Sequence, residues 1–316
     1  MGTYVVRRIL IALVVLVVIS MLNFGFINLA PGDPLQALLP PEALRTGVGR
    51  LYEDAGLADS IPVRYVRWLN AVAHGNLGES FQSGDTTTSL IARTLPRTLL
   101  LTGSALALSI VIGVPLGILS ALKNRSMLDE IITVWSFVFT SVPGFFLALL
   151  AVFFFAVRLN WFPTGGMYDY DKTGDLGNLL HHLILPMTVL GLLHVPVFVR
   201  YVRASMLDVA RQDYIRTARA KGLRERAVIW RHTFPNALSP FLTVLGLSLP
   251  GLVGSSVLIE QVFAWPGMGR LSINAALFRD YPVFMSTSLL YAVAVLVSNL
   301  LTDLAYAAVD PRIRYS

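Results

Sequence analysis

Six long apolar runs, each free of Asp, Glu, Lys and Arg, limit what this chain can become: about 9–30, 98–122, 131–157, 183–199, 237–259 and 283–302. About 20 apolar residues in a helix cross a hydrocarbon core of about 30 Å. A helix also bonds its own backbone where lipid offers no partner. The chain is therefore read as an all-α polytopic membrane protein with six transmembrane helices. Composition agrees, with 55% hydrophobic and 14% charged residues and a mean hydropathy of +0.65 over 316 residues.

Six crossings return the chain to its starting side, and Lys and Arg in the short connections mark that side as cytoplasmic. Arg7 and Arg8, Lys123 and Arg125, the stretch 200–231, and Arg312 with Arg314 all fall there. The opposite side receives 31–96, where acids such as Asp33, Glu53, Asp59 and Asp85 offset Arg45, Arg50, Arg64, Arg67 and Arg93, and the connections 158–178 and 261–282. Both termini are thus expected in the cytoplasm, at the inner or plasma membrane. The chain divides into 1–30, the N-terminus and first helix; 31–96, an extracytoplasmic segment; and 97–316, a five-helix core. The first run is read as retained, because it is longer than a signal core and the Pro-Gly-Asp-Pro after it is no small-residue cleavage site.

The net charge of +6 and pI near 9.7 follow from this cytoplasmic excess, so nucleic acid is not an expected partner. With no cysteine, the chain has no disulfide, thiolate metal site or Cys nucleophile. A carrier driven by a coupling ion needs ionisable groups at depth, and the six runs hold only His194. A stand-alone secondary carrier is disfavoured on that ground. His194 shares its run with Pro186 and Pro196 and reads first as a packing or helix-bonding residue, with the translocation path as its functional alternative. His181 and His182 point about 100° apart on a helix, a poor metal pair; an interfacial position accounts for both, and no metal site is expected. No GxxxxGK[ST], HExxH or GxSxG is present. The chain is expected to be non-catalytic and to draw its energy from a separate protein.

One stretch breaks the apolar pattern: "DYIRTARAKGLRERAVIWRHTFPNALSP", from Asp213 to Pro240. Residues 211–221 have helix-forming character, Gly222 suits a left-handed cap, and a second helix is expected over 224–234 before Pro235. Tyr214, Thr217, Ala218 and Lys221 share one side by their spacing. Ala218 and Ala220 are small enough for close approach of a partner, and the arginines supply ion pairing. A basic helix lying on anionic lipid is the equal alternative from charge alone.

The spacing of Arg216, Thr217, Ala218, Gly222, His232, Phe234 and Pro235 resembles the cytoplasmic EAA loop of binding-protein-dependent ABC importer permeases. Arg216 stands where that loop has an acid, His232 stands at its hydrophobic position, and Phe234 replaces Leu. These departures are similar to the dipeptide and oligopeptide branch, and so are "NLAPGDP", "YVRWLNAVAHGNLGESF", "SVPGFF", "VFAWPGMGRL", "RDYPV" and "DPRIR", met in that order along the chain. The resemblance implies the type I importer permease fold, an EAA-like coupling loop at about 203–236, and a half-transporter. Its implied partners are a homologous second permease, two cytoplasmic ATPase subunits that bind ATP and Mg, an extracytoplasmic solute-binding protein, and the bilayer. This chain itself would bind no cofactor. Di- or oligopeptides are the first choice of substrate, and nickel or another small solute of the same branch is the second.

Coupling is expected at Tyr214, Arg216, Thr217, Ala218, Lys221, Gly222, His232, Phe234 and Pro235. The polar candidates for the translocation path are Glu260, Gln261 and His194, with Pro143 at a possible break near the gate. Gly113, Pro115, Gly117, Gly144, Pro250 and Gly251 loosen helix bonding or let helices pack closely, and sequence does not separate the two. Trp265, beside Pro266 and Gly267, is expected to anchor a turn at the interface. The segment 31–96 is the expected receptor-docking region.

Overall fold

A computed structural model describes residues 2–29 and 59–309. The expectations for 30–58 and for Arg312 and Arg314 lie outside the described residues. The helices are α1 (Gly2–Leu29), α2 (Ile61–Ala73), α3 (Thr87–Leu122), α4 (Met127–Ser141), α5 (Gly144–Ala151), α6 (Leu176–Ala210), α7 (Asp213–Ala220), α8 (Glu225–Ala227), α9 (Phe234–Val262), α10 (Met268–Leu277) and α11 (Tyr281–Val309). Two π-helical stretches, Val152–Arg158 and Val228–Thr233, follow α5 and α8.

Among the described residues, five helices are long and apolar enough to cross a membrane, and a bent pair makes a sixth when it is counted as one span. The expected single helix over 131–157 is instead α4 and α5, turned by 98° at a short break. Proline disfavours the α conformation in the residue before it. Val142 accordingly leaves the helix with φ −86° and ψ 128°, and Pro143, lacking an N–H, starts the next one. The prolines inside α6 and α9 do not interrupt their helices. α6 runs well past the apolar run 183–199 at both ends, and the Asp175 side chain caps its start by accepting from the Gly177 N–H at 2.8 Å.

The chain forms two compact units, 1–98 with 266–296 and 99–265 with 297–316. In the second unit α6, uncharged between 183 and 199 and polar toward both ends, buries Leu190, Val195, Phe198, Val202 and Met206. Its neighbour α3 meets it with small residues four apart: Ala105, Ser109, Gly113 and Gly117. A Cβ on Gly113 would lie 2.8 Å from Phe198 Cβ, and one on Gly117 would lie 2.8 Å from Val202 Cβ and 2.9 Å from the Val199 carbonyl. From α6, Gly191 makes the reciprocal approach, with the Ala105 carbonyl 3.1 Å from where its Cβ would be. Ser109 Oγ donates across the same seam to the Gly191 carbonyl at 2.9 Å. These glycines therefore serve close helix packing, in the small-xxx-small manner, and α3 continues unbroken past them.

Trp265, expected at the interface, is fully buried with Leu101, Leu190, Ile259 and Phe263. Its ring area is taken up by this core, and its backbone N–H donates to the Glu260 carbonyl at 2.8 Å.

In the first unit, Phe24 of α1 packs on Tyr65 and Trp68 of α2 at 5.5 and 6.1 Å between centroids. The turn 77–86 is fastened by Asp280, which is buried and accepts from Ser80 Oγ and, at 3.1 Å, from the Phe81 N–H. Thr98 Oγ1 accepts from the Met268 N–H at 2.8 Å, capping an orphan donor at the start of α10.

Candidate functional site

α7 owes its place to one apolar face. Ile215 and Ala218 are buried against Val228, with Val209 alongside. Ala218 is thus turned into its own chain, not toward a docking partner, because it lies one turn from Ile215 on that face. Tyr214, Arg216, Thr217 and Lys221 are exposed, so three of the four residues expected on one side remain available. Thr217 Oγ1 donates back to the Asp213 carbonyl at 3.0 Å. Arg216 reaches Asp213 at 3.5 Å with both side chains largely in solvent, a pair worth little.

Gly222 has φ +79°, the left-handed cap expected. Its N–H donates to the Arg219 carbonyl at 2.9 Å, and the Lys221 N–H donates to Thr217 at 3.0 Å. A Cβ there would meet nothing within 4 Å, so glycine is required by the backbone angle and not by space. Across this turn Arg219 donates to Glu225 through Nε at 3.2 Å and Nη2 at 2.8 Å. The guanidinium holds the Glu225 carboxyl below its ordinary range and is itself raised in return.

The expected second helix over 224–234 is not a separate element. α8 passes through the π-helical stretch Val228–Thr233 into α9, and Pro235 lies in the first turn of α9 instead of ending a helix. Phe234 is half-buried against the α6 core and meets Trp230 edge to face at 5.4 Å. Trp230 is exposed and stands over a shallow hollow with Arg224 and Arg226. His232 is half-buried, and its carbonyl accepts from Asn236 Nδ2 at 2.6 Å.

The path candidates are not gathered at one point. Glu260 is completely buried while Gln261 is exposed, as a helix places adjacent residues about 100° apart. His194 is buried and donates Nδ1–H to the Leu190 carbonyl at 3.0 Å, in its own helix. Pro143 is exposed at the bend between α4 and α5.

The sequence reading missed a polar knot at the ends of α3, α4 and α6. Asp129, in the first turn of α4, accepts Arg203 Nε and Nη2 at 2.7 Å each, the Arg125 N–H at 2.9 Å, and Ser120 Oγ. Arg203 Nη2 also donates to Asn124 Oδ1 at 2.9 Å. Ser126-x-x-Asp129 is a readable capping pattern, but nothing local in sequence points to Arg203. A second knot fixes the connection 159–175 to α6: Asp169 accepts from Asn178 Nδ2 at 2.7 Å, Lys172 Nζ at 3.2 Å and buried His182 at 3.3 Å. Asn178, then Lys172 and His182, hold the Asp169 carboxyl below its usual range. His182 is therefore a bonded, buried residue and not a merely interfacial one.

An all-helical membrane chain with a basic loop docked between two of its spans has the form of a transporter's membrane subunit, and family comparison gives the same class. The chain belongs to the binding-protein-dependent transport system inner membrane components: residues 113–315 match that family, and residues 1–102 match its N-terminal region. It is 41% identical over 316 residues, all of both chains, to the oligopeptide transport system permease protein AppB of Bacillus subtilis. A putative peptide permease protein of Brucella suis is 44% identical over 98% of each chain, and the dipeptide transport system permease protein DppB of Alkalihalophilus pseudofirmus is 37% identical over the whole of both. Among solved structures, the inward-facing MetNI methionine ABC transporter matches with a TM-score of 0.59 at 20% identity, covering 71% of this chain and 97% of that one. That likeness supports the type I importer permease fold.

Proposed function

We propose that this chain is the translocation-path subunit of an ATP-driven importer of di- or oligopeptides. The observation that carries the substrate class is end-to-end similarity, at 37–44% identity, to permeases named for peptides. In this reading a homologous permease completes the path, and two cytoplasmic subunits bind ATP and Mg and hydrolyse it. A solute-binding protein delivers the peptide from outside, docking on 31–96, and both termini lie in the cytoplasm.

The loop 211–235 receives the ATPase. Exposed Tyr214, Arg216, Thr217 and Lys221 supply its contact surface, and Gly222 sets the angle at which the chain turns from α7 into α8. His232, Phe234 and Pro235 carry the loop back into α9. Closure of the two ATPases would press the paired loops together and move α6 and α9 as rigid rods, switching access from one side to the other. Glu260, Gln261, His194 and the bend at Pro143 are retained as the path residues of this reading.

The test is ATP-dependent uptake of labelled di- and oligopeptides by cells lacking the chain, with and without its restoration, and labelled nickel in parallel. Restored peptide uptake that excess unlabelled peptide abolishes supports the proposal. Restored nickel uptake with peptide unaffected replaces the substrate and keeps the coupling mechanism.

A further inference from the structure

α4 and α6 face each other with two rows of residues at i, i+4 and i+7: Thr133, Phe137 and Thr140 on one, and Pro196, Arg200 and Arg203 on the other. Between them lies a cleft of about 200 Å³. Arg200 ends the uncharged run 183–199, so its guanidinium falls at the boundary between hydrocarbon and water, the depth at which lipid phosphates lie. The wall at Phe137, Pro196 and Val199 is apolar, and it continues onto exposed Val134 and Val138 of α4.

The charges in this cleft do not cancel. Arg203 spends Nε and Nη2 on Asp129 and Asn124, which neutralises it and leaves Nη1. Arg200 has no hydrogen bond or ion pair among the described residues. The cleft therefore carries one uncompensated positive charge beside an apolar wall. Asp129 is satisfied by its four donors, and no Asp or Glu lines the cleft; Glu130, a turn before Thr133, is outside it.

We infer that this cleft binds the phosphodiester of a membrane phospholipid, with Arg200 and the free edge of Arg203 on the phosphate, the Thr133 hydroxyl beside them, and an acyl chain along Phe137. A lipid whose only charge is its phosphate is preferred, because a headgroup ammonium would find no carboxylate there. Phosphatidylglycerol meets that condition and phosphatidylethanolamine does not.

The assembled transporter is reconstituted in vesicles of phosphatidylethanolamine and phosphatidylglycerol, extracted in mild detergent, and its retained lipids counted by native mass spectrometry. The wild type keeps phosphatidylglycerol in preference to phosphatidylethanolamine. Arg200→Gln weakens that retention by about tenfold or more, the loss of a charge-assisted hydrogen bond. Ala204→Phe fills the cleft from its rim with both arginines in place and gives the same loss. Lys123→Gln, an equal change of charge on exposed surface, leaves the count unaltered. Undiminished retention in either cleft variant overturns the inference, as does equal retention of the two lipids. Displacement by millimolar glycerol phosphate would assign the cleft to a soluble phosphate, and a Phe137→Cys cross-link to the second permease would assign it to protein; either result removes the lipid.

Discussion

Asp129 and Arg203 allow a quantitative test of what fixes the cytoplasmic end of the core, because the two partners are unequally buried. The Asp129 side chain is 6% exposed and Arg203 is 31% exposed. Replacing Arg203 with Leu removes two of the four donors to a carboxylate that is almost wholly buried. Breaking a buried pair in this way costs about 3–5 kcal/mol. Replacing Asp129 with Leu instead leaves a guanidinium that keeps Asn124 and turns outward to solvent, so its cost is that of lost charged hydrogen bonds, about 1.5–3 kcal/mol. The double replacement leaves no orphaned charge and should cost less than the sum of the singles, with a coupling of about 1 kcal/mol or more. At about 2–4 °C per kcal/mol for a unit of this size, Arg203→Leu lowers the apparent melting temperature by roughly 6–20 °C. Tryptophan fluorescence of the protein in detergent follows the transition. Equal shifts for the two single variants, adding without coupling in the double, would refute the burial argument.

Gly222→Ala should insert normally yet lose coupled uptake, because the left-handed conformation costs about 1–2 kcal/mol for a residue with a Cβ while the space around it is open; Gly222→Asn should retain more activity, and peptide uptake normalised to membrane protein separates them. Gly117→Leu places carbon against Val202 and the Val199 carbonyl and should destabilise by about 1–3 kcal/mol, read as a lower melting temperature in detergent. The Asp169 clasp should hold at neutral pH. A carboxyl depressed on folding contributes stability above its unfolded pKa and loses it as pH falls through the lower folded value. Proteolysis of 159–175 should therefore rise only below the ordinary carboxylate range, and Asp169→Asn should show that sensitivity at neutral pH.

What the sequence made legible was whatever a single segment encodes. Five of the six spans, the left-handed Gly222 and a helix within the expected 211–221, found at 213–220, follow from local composition. What it hid depends on partners distant in the chain. Gly113 and Gly117 were equally readable as kinks or as contacts until Phe198 and Val202 were found against them. Trp265 beside Pro-Gly looked like an interfacial ring because burial in the Leu101 and Leu190 core leaves no local trace. The burial of Ala218 is hidden for a related reason: helical spacing shows which residues share a face, and only Val228 shows which face is covered. Val142-Pro143 is the one local signal of the bend, because the conformation of the residue before proline decides between a bent pair and one continuous span.

α6 connects the Asp169 clasp, the seam with α3 and the Arg203 knot. At 1.5 Å per residue its 35 residues extend about 52 Å, more than a hydrocarbon core. Its start is clasped by Asp169 through Asn178 and His182, its middle is locked to α3 at Gly191, and its far end is pinned to α4 through Arg203. Only Arg211 and Gln212 separate it from α7. A force applied to α7 by a bound ATPase thus meets a single long helix after two residues, with Val209 of α6 packed against the buried face of α7 at Ile215 and Ala218. The same joint opens through a π-helical stretch into α9, where backbone bonding is less regular. Motion of the loop should therefore pass into α6 with little loss, while the junction to α9 absorbs the change of angle. Stiffening Val228–Thr233 should impair transport more than it impairs folding.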